Sequence, residues 1–312
     1  MLKTKKNRRS LRKNKIKKYK NKVVFVGVNA AGISSKLASL DDMLETLKPT
    51  VFFIEETKLK TGGKIKSKNT PGFQIFELNR KDKFGGGIAI GAINDVEPVL
   101  VSEGDDDTEI LVIEIKVAGL KIRCICGYGP QESAKVEKKV KFWEKLSNEV
   151  EDAFLNDAGI VFQMDGNLWA GSEVVRNDPN QCNMNGKLFK KFLAQFPQLT
   201  VVNNLDVCEG SITRRRVTVS RIEESILDFF IVCDKVLCFI EKMVIDEEKK
   251  YVLSSYTKVK GQARKKDSDH FTTILEMKIE YTVKKPDRIE LFNFKNVECQ
   301  EKFFQLTSDP QN

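Results

Sequence analysis

The chain has very little histidine: one residue, His270, in a sequence of 312. Its seven cysteines are scattered and include no C-x-x-C pair. A structural zinc site needs several closely spaced cysteine or histidine ligands, so this sequence makes one improbable. We predict reduced, mostly buried thiols, and we expect any bound metal to be a hard cation held by oxygen atoms.

Long apolar runs are also missing. No stretch approaches the roughly 18 apolar residues of a membrane helix, and the N-terminus lacks the apolar segment of a secretory signal. Hydrophobic residues still make up 41% of the chain, which is enough for the core of one large domain or two small ones. We therefore expect a nuclear or cytoplasmic protein that is neither secreted nor membrane-spanning.

Acidic residues are absent from the first part of the chain. From Lys3 to Lys22 there are twelve lysines and arginines and no aspartate or glutamate, so the net charge of +9 leaves the remainder at −3. We interpret residues 1–21 as a disordered basic tail that suits the phosphate backbone of DNA, or of RNA. A solubilising or nuclear-targeting segment is an equally good interpretation, and the two are compatible.

The hydrophobic pattern predicts many strands and few helices. The opening is a strand, helix, strand unit, with the helix capped by Ser34 or Ser35 and ended by Pro49. Further helices are predicted at 134–154 and around 188–196. The predicted strands are 23–28, 51–54, 73–76, 87–92, 110–117, 120–126, 160–162, 199–202, 212–219, 226–232 and 271–279. This order favours an α/β (α+β) fold, a four-layered sandwich of two mixed β-sheets flanked by helices, over 22–283. Residues 284–312 are more polar and read as a C-terminal linker or appendage.

Two residues attract attention on their own. His270 follows Ser268 and Asp269 immediately before a predicted strand, where an imidazole is well placed for catalysis. Asp228 lies within a predicted buried strand, and a buried carboxylate is costly unless it is paired. A hydrogen bond between Asp228 and His270 would explain both. The alternatives are a half-exposed loop histidine and a strand-end aspartate that faces solvent.

Several other polar residues directly follow predicted strands. Asp165 and Asn167 follow one such strand, and loops held by a rigid sheet often carry catalytic groups. Each signal is weak alone, because Asp-Gly-Asn is also ordinary turn chemistry. Glu56 has an alternative reading as a surface acid, Asn29 as a strand end and Tyr128 as a packing residue.

The order of these motifs is more specific than any one of them. The series is Asn29, Glu56-Thr-Lys58, Tyr128-Gly-Pro130, Asp165-Gly-Asn167, Ser225-Ile-Leu-Asp228 and Ser268-Asp-His270. In this respect the chain resembles the endonuclease/exonuclease/phosphatase superfamily over about 22–279. Within it, the chain looks most like the apurinic-endonuclease-like domain that precedes the reverse transcriptase of non-long-terminal-repeat retrotransposons.

The resemblance implies metal-assisted hydrolysis of a phosphodiester. Glu56 resembles the principal Mg²⁺ ligand, with Asp269 and Asn29 completing the metal neighbourhood, and Mn²⁺ is a possible substitute. Asp165 resembles the group that orients or deprotonates the attacking water. His270, held by Asp228, would donate a hydrogen bond to the phosphate in the transition state.

The same resemblance assigns the substrate contacts. Asn167 and Tyr128 would bind the scissile phosphate, and Gln131 offers an amide nearby. Thr213 and Arg214 complete the predicted substrate-binding set, in a segment, 209–216, that fits the retrotransposon pattern more loosely.

The chain also departs from the family pattern. The usual Gly-Asp-Phe-Asn is Met164-Asp-Gly-Asn167 here, which keeps both functional side chains but loses the aromatic between them. Ala31 stands where abasic-site repair enzymes carry an acidic residue, and Ser225 where they carry tryptophan. These departures argue against abasic-site specificity.

The leading functional prediction is a Mg²⁺-dependent endonuclease that nicks duplex DNA, derived from or belonging to a retroelement. One alternative is a phosphodiesterase or phosphatase of the same superfamily that acts on RNA or on a small phosphate ester. A second is a catalytically inactive nucleic-acid-binding domain.

Overall fold

The computed structural model describes residues 22–81, 85–259 and 262–279, which belong to one compact unit. The predicted basic tail 1–21 and the predicted appendage 284–312 lie outside the described residues. In chain order the strands are β1 Lys22–Asn29, β2 Val51–Glu55, β3 Phe73–Leu78, β4 Ile88–Ile93, β5 Val99–Asp105, β6 Thr108–Val117, β7 Leu120–Tyr128, β8 Gly159–Asp165, β9 Leu199–Val201, β10 Cys208–Glu209, β11 Arg214–Val217, β12 Ile222–Ser225, β13 Asp228–Cys233, β14 Ile240–Ile245, β15 Ser254–Val259, β16 Gln262–Asp267 and β17 Thr273–Lys278. The helices are α1 Leu37–Leu47, α2 Val136–Leu155, α3 Met184–Gln195 and α4 Asp234–Leu237.

The strands form two large mixed sheets and two small ribbons. The first sheet has seven strands in the order β10-β14-β17-β1-β2-β4-β3, and the second has six in the order β5-β6-β7-β8-β13-β9. Each mixes orientations: β1 pairs parallel with β2, and β7 pairs parallel with β8, while most other pairs are antiparallel. The ribbons are β11-β12 and β15-β16. The predicted two-sheet sandwich with few helices is confirmed.

Strand periodicity places the first sheet between two apolar layers. Alternate residues of a strand point to opposite faces. In β1, Val23 and Phe25 therefore join the core between the sheets, whereas Val26 and Val28 join the cluster beneath α1. The inter-sheet core includes an edge-to-face contact between Phe53 of the first sheet and Phe230 of the second, with ring centroids 6.1 Å apart.

Helices α2 and α3 pack outside the second sheet. Trp143 of α2 contacts Phe189 and Phe192 of α3, with ring centroids 5.7 and 5.5 Å away. Phe189 in turn reaches Phe229 of β13 at 5.6 Å. These aromatic contacts complete the fourth layer. Among the described residues, no helix is both long and apolar enough to cross a membrane.

Two local predictions were wrong. The N-cap of α1 is Lys36, without a side-chain cap, instead of Ser34 or Ser35. The Lys36 ammonium is buried and donates a hydrogen bond to the carbonyl of Ala30, which ties down the loop after β1. The predicted strand 226–232 begins at Asp228, and at its start the backbone N–H groups of Leu227 and Asp228 donate to a side chain, Thr213 Oγ1.

Strand direction explains why the polar residues meet. The parallel strands β1 and β2 end at the same edge, as do β7 and β8. Strand β13 runs antiparallel to β8, with Asp228 opposite Asp165, and β17 runs antiparallel to β1. The starts of β13 and β17 therefore lie beside the ends of β8 and β1, at one edge of the sandwich.

Candidate active site

Three side-chain hydrogen bonds cross from one sheet to the other at this edge. Asn29 Nδ2, at the end of β1 in the first sheet, donates to Asp165 Oδ2 of the second sheet at 2.7 Å. Tyr128 of the second sheet donates its hydroxyl to Glu56 Oε1, after β2, at 2.9 Å. His270, just before β17, lies 3.0 Å through Nδ1 from an oxygen of Asp228, in β13. The sandwich therefore positions these residues from both sides.

His270 is held by Asp228 as the sequence predicts. Its Nδ1 lies 3.1 and 3.0 Å from the two carboxylate oxygens. Burial alone would lower the pKa of His270, but the charge and hydrogen bond of Asp228, with the charge of Asp165, raise it to about 9. The imidazole is therefore protonated at neutral pH. Its Nε2 is 4.0 Å from Asp165 Oδ2, too far for a hydrogen bond, so this N–H remains available to a substrate oxygen.

Asp165 is almost fully buried, at 1% exposure. Its Oδ2 accepts from Asn29, and its Oδ1 accepts from the backbone N–H of Asn167 at 3.0 Å. Burial raises the pKa of Asp165 to about 7; the charge of Asp228 adds to the rise and that of His270 opposes it. A carboxylate with a pKa near neutrality is well matched to taking a proton from water.

Glu56 carries the donor chemistry expected of a hard-cation ligand. Burial raises its pKa, but Lys58, Tyr128 and Asn29 lower it below the usual value, so Glu56 is anionic. Its Oε2 lies 2.8 Å from the ammonium of Lys58. The positive charge of Lys58 thus already balances this carboxylate. Oxygen atoms are the ligands that Mg²⁺ prefers, and the Glu56 carboxylate offers them to Mg²⁺ or Mn²⁺.

Asp269, predicted as a second metal ligand, contacts an arginine. Its Oδ2 accepts from Arg214 Nε and Nη2, both at 2.9 Å. Burial raises the pKa of Asp269, but His270 and Arg214 lower it overall, so this carboxylate is also anionic. Arg214 lies on Asp269, much as Lys58 lies on Glu56, and its predicted contact with substrate stays a prediction.

Asp165, Asp228 and His270 present three donor atoms within 4.8 Å of one another, a spacing that also suits a metal. We interpret the contact between His270 and Asp228 as a hydrogen-bonded pair, because a protonated imidazole has no free lone pair for a metal.

Several solved structures share this architecture. The endonuclease domain of TRAS1, a telomere-specific non-LTR retrotransposon, is similar with a TM-score of 0.59 and 16% identity over 82% of this chain and 99% of that one. An AP endonuclease from Archaeoglobus fulgidus is similar with a TM-score of 0.60 and 19% identity over 82% of this chain and 100% of that one. The 3'-5' exonuclease NExo from Neisseria meningitidis is similar with a TM-score of 0.61 and 16% identity over 82% of this chain and 100% of that one. The chain has the endonuclease/exonuclease/phosphatase fold. No family sequence model and no curated protein sequence matches it.

The packing around Gly166 explains why no aromatic residue follows Asp165 in this chain. A Cβ at Gly166 would lie 2.7 Å from Leu168 Cδ2, and Leu168 is fully buried. Leu168 thus occupies the adjoining space. Asn167 follows at φ 44°, a left-handed conformation that asparagine tolerates, and its Nδ2 donates to the carbonyl of Gly129 at 2.9 Å.

Thr213 and Gln131, both predicted to bind substrate, differ in their exposure to solvent. Thr213 is fully buried, and its hydroxyl accepts the backbone N–H groups of Leu227 and Asp228 at 2.8 and 3.0 Å. It supports the strand that carries Asp228, and its predicted contact with substrate stays a prediction. Gln131 is exposed and lines a cleft of about 260 Å³ that reaches Glu56 and Tyr128.

Sequence reasoning missed several residues of the site. Buried Asn185 donates to the carbonyls of Pro130 and Asn167, at 2.6 and 3.1 Å, and joins two of the loops. The Ser268 hydroxyl donates to the carbonyl of Asn29 at 2.9 Å and joins two more. Asn185 belongs to a helix far along the chain, and no local pattern marks it. Ser268 lies two residues before His270, and this position could have indicated from the sequence that it belongs to the site.

The cleft next to Glu56 contains a further set of missed residues. Lys58, Arg80 and Lys138 all line it. Arg80 pairs with buried Glu109, which also accepts the backbone N–H of Gly87. Each of these three cations is paired with a carboxylate of the same cleft, which fixes its position: Lys58 with Glu56, Arg80 with Glu109 and Lys138 with Asp107.

Proposed function

We propose that this protein is a divalent-metal-dependent phosphodiester hydrolase that nicks duplex DNA. The observation that carries the proposal is the set of three hydrogen bonds between the sheets. They bring a buried carboxylate of raised pKa (Asp165), a protonated imidazole (His270) and an anionic oxygen ligand (Glu56) to one edge. Hydrolysis of a phosphodiester needs a base for water, a donor for the phosphate and a Lewis acid.

The residues divide this chemistry among themselves. Asp165 accepts the proton of the attacking water, oriented by Asn29. The Nε2–H of His270 donates to a phosphate oxygen as negative charge builds there, and Asp228 stabilises the imidazolium. Mg²⁺ held by Glu56, with Asp269 and Asn29 nearby, would supply Lewis acidity. Tyr128 and Asn167 bind the phosphate; burial, with the charges of Asp165 and Glu56, raises the pKa of the Tyr128 hydroxyl, so it remains a donor.

DNA as the substrate is supported by the ribbon β11-β12. It starts at the site, because Arg214 forms an isolated bridge with His270. Arg216 and Arg221 are exposed on it, and so are the apolar side chains of Val217 and Ile222. A two-stranded ribbon fits the major groove, and exposed arginines suit phosphates and base edges.

The similar structures support the same substrate class. They include a retrotransposon endonuclease, AP endonucleases and proteins bound to a DNA hairpin product or to single-stranded DNA. We assign this chain to target-site nicking of retroelement type, in the nucleus, with Mg²⁺ as cofactor. The basic tail supplies sequence-independent affinity for DNA.

The test is incubation of the full-length protein with supercoiled plasmid and Mg²⁺. Conversion to the open-circular form that EDTA abolishes and Mn²⁺ restores supports the proposal. Parallel reactions contain a single-stranded oligonucleotide with a 3'-phosphate and a soluble phosphate ester. Release of phosphate without plasmid nicking would instead identify a phosphatase, and metal-independent DNA binding without any hydrolysis would identify an inactive binding domain.

A further inference from the structure

Trp169 is an exposed tryptophan two residues after Asn167. It is 38% exposed, although its neighbours Leu168 and Ala170 are fully buried. In the described parts of the chain, Trp169 and Tyr256 are the only exposed aromatic side chains, and the other tryptophan, Trp143, is 4% exposed. A single exposed apolar side chain is ordinary on a protein surface; Trp169 is distinguished by its place in the chain, two residues after Asn167.

The backbone of Trp169 is held firmly although its side chain is exposed. Its N–H donates to Asn183 Oδ1 at 3.2 Å, and its carbonyl accepts the Asn183 N–H at 3.0 Å. The same Asn183 oxygen caps α3 by accepting from Gly186 at 2.8 Å. A Cβ at Gly186 would lie 1.9 Å from the Trp169 carbonyl oxygen, so the helix approaches this closely only because residue 186 is glycine.

The same loop is fixed on both sides of the tryptophan. On one side, Asn185 donates to the carbonyl of Asn167. On the other, Asp178 Oδ2 accepts the N–H groups of Ala170 and Gly171 at 2.9 and 3.1 Å. Two residues span at most about 7 Å, so the Trp169 backbone lies within one nucleotide step of Asn167. The backbone that carries the indole is thus fixed close to Asn167, the proposed phosphate contact.

We propose that Trp169 is a stacking platform for an unpaired nucleobase next to the scissile phosphate. This inference rests on the proposed function and narrows its substrate class. A base within a duplex is stacked on both faces, so an aromatic side chain can stack on it only where it is unpaired or turned out of the helix. The site therefore favours DNA with an unpaired nucleotide at the cleavage position, such as a bulge, a mismatch or a strand end.

The test measures binding of the full-length protein in EDTA, where no cleavage occurs. The probes are labelled duplexes that are identical except for one unpaired nucleotide at the centre of one of them. Trp169→Ala weakens binding of the unpaired probe by a factor on the order of tenfold and leaves the fully paired probe unchanged. Trp169→Phe, which keeps a stacking face, binds both probes like wild type. Tyr256→Ala, which removes the other exposed aromatic, does not alter the ratio between probes.

Fluorescence gives a second readout of the same contact. Because Trp143 is buried, the difference in emission between wild type and Trp169→Phe reports Trp169 alone. The unpaired probe quenches the Trp169 emission, so this difference becomes smaller, and the paired probe leaves the difference unchanged. Unchanged emission, or an equal loss of affinity for both probes in Trp169→Ala with an unchanged melting temperature, overturns the inference.

The nicking assay separates this inference from the proposed function. Nicking by the wild type together with an unaltered probe ratio in Trp169→Ala overturns the stacking role alone. A Trp169-dependent probe ratio without any metal-dependent cleavage overturns the proposed hydrolysis and leaves the stacking role standing.

Discussion

His270 Nδ1 lies 3.0 Å from Asp228 Oδ2, and this contact joins the two sheets of the sandwich. Both side chains are buried, at 7% and 2% exposure. The contact fixes the imidazole, holds its proton and directs Nε2 away from Asp228. The consequences of this pair extend from the pH dependence of the reaction to its rate.

The pair predicts an alkaline limit to activity. Since the pKa of His270 is raised to about 9, the protonated form is dominant at neutral pH and is lost as pH rises through that value. Asp228→Asn removes the charge that raises the pKa, so the decline in rate moves to lower pH. Initial nicking rates between about pH 6 and pH 10, a range that brackets this pKa, measure the shift. A decline at the same pH in both proteins would show that Asp228 does not control this proton.

Glu56 and Lys58 predict opposite effects on metal binding. Glu56→Gln removes an anionic ligand, and we expect the Mg²⁺ concentration for half-maximal nicking to rise at least about tenfold. Lys58→Met removes the ammonium 2.8 Å from Glu56 and lowers the concentration required. Calorimetric titration with Mn²⁺ provides a check that does not depend on turnover. Equal metal affinity in all three proteins would place the metal elsewhere.

Thr213 predicts a stability effect instead of a substrate effect. Its hydroxyl accepts two buried backbone N–H groups, so Thr213→Val leaves both without a partner. A buried polar group left unsatisfied costs about 1–3 kcal/mol, and urea unfolding measures the loss. Thr213→Ser keeps the acceptor and serves as the matched control. If serine destabilises as much as valine, packing of the methyl group is responsible instead.

The sequence predicted the strands and motifs whose signal is local. β1 and β2 were found because their apolar runs are short and continuous, and the ordered motifs placed Asp165 and His270 in one site. The ribbon β15-β16 was missed because its segments, 254–259 and 262–267, contain few apolar residues. The contact between Asp228 and His270 was predicted because each residue is conspicuous by itself, but other contacts between distant positions left no sequence signal. The pairing of Arg214 with Asp269, 55 positions apart, and the buried support from Thr213 are of this kind.

The basic tail predicts a salt-dependent part of the affinity for DNA. Deletion of residues 1–21 removes lysines and arginines that displace counterions from phosphates. The slope of log affinity against log salt then becomes shallower by about 0.9 for each phosphate that the protein no longer neutralises. Filter binding or fluorescence anisotropy between low and moderate salt measures it, with a duplex of unrelated sequence as the control. An unchanged slope would mean that the tail does not touch DNA.

Cleavage and binding by two isosteric variants, measured on the same preparations, test the central claim most directly. Asp165→Asn and His270→Gln keep the approximate shape of each side chain and remove the base and the charged donor. We predict that each lowers Mg²⁺-dependent nicking of supercoiled plasmid by a factor on the order of 10² to 10³ while the affinity for the same DNA stays close to that of wild type. Nicking by either variant at the wild-type rate would contradict the assignment of this site.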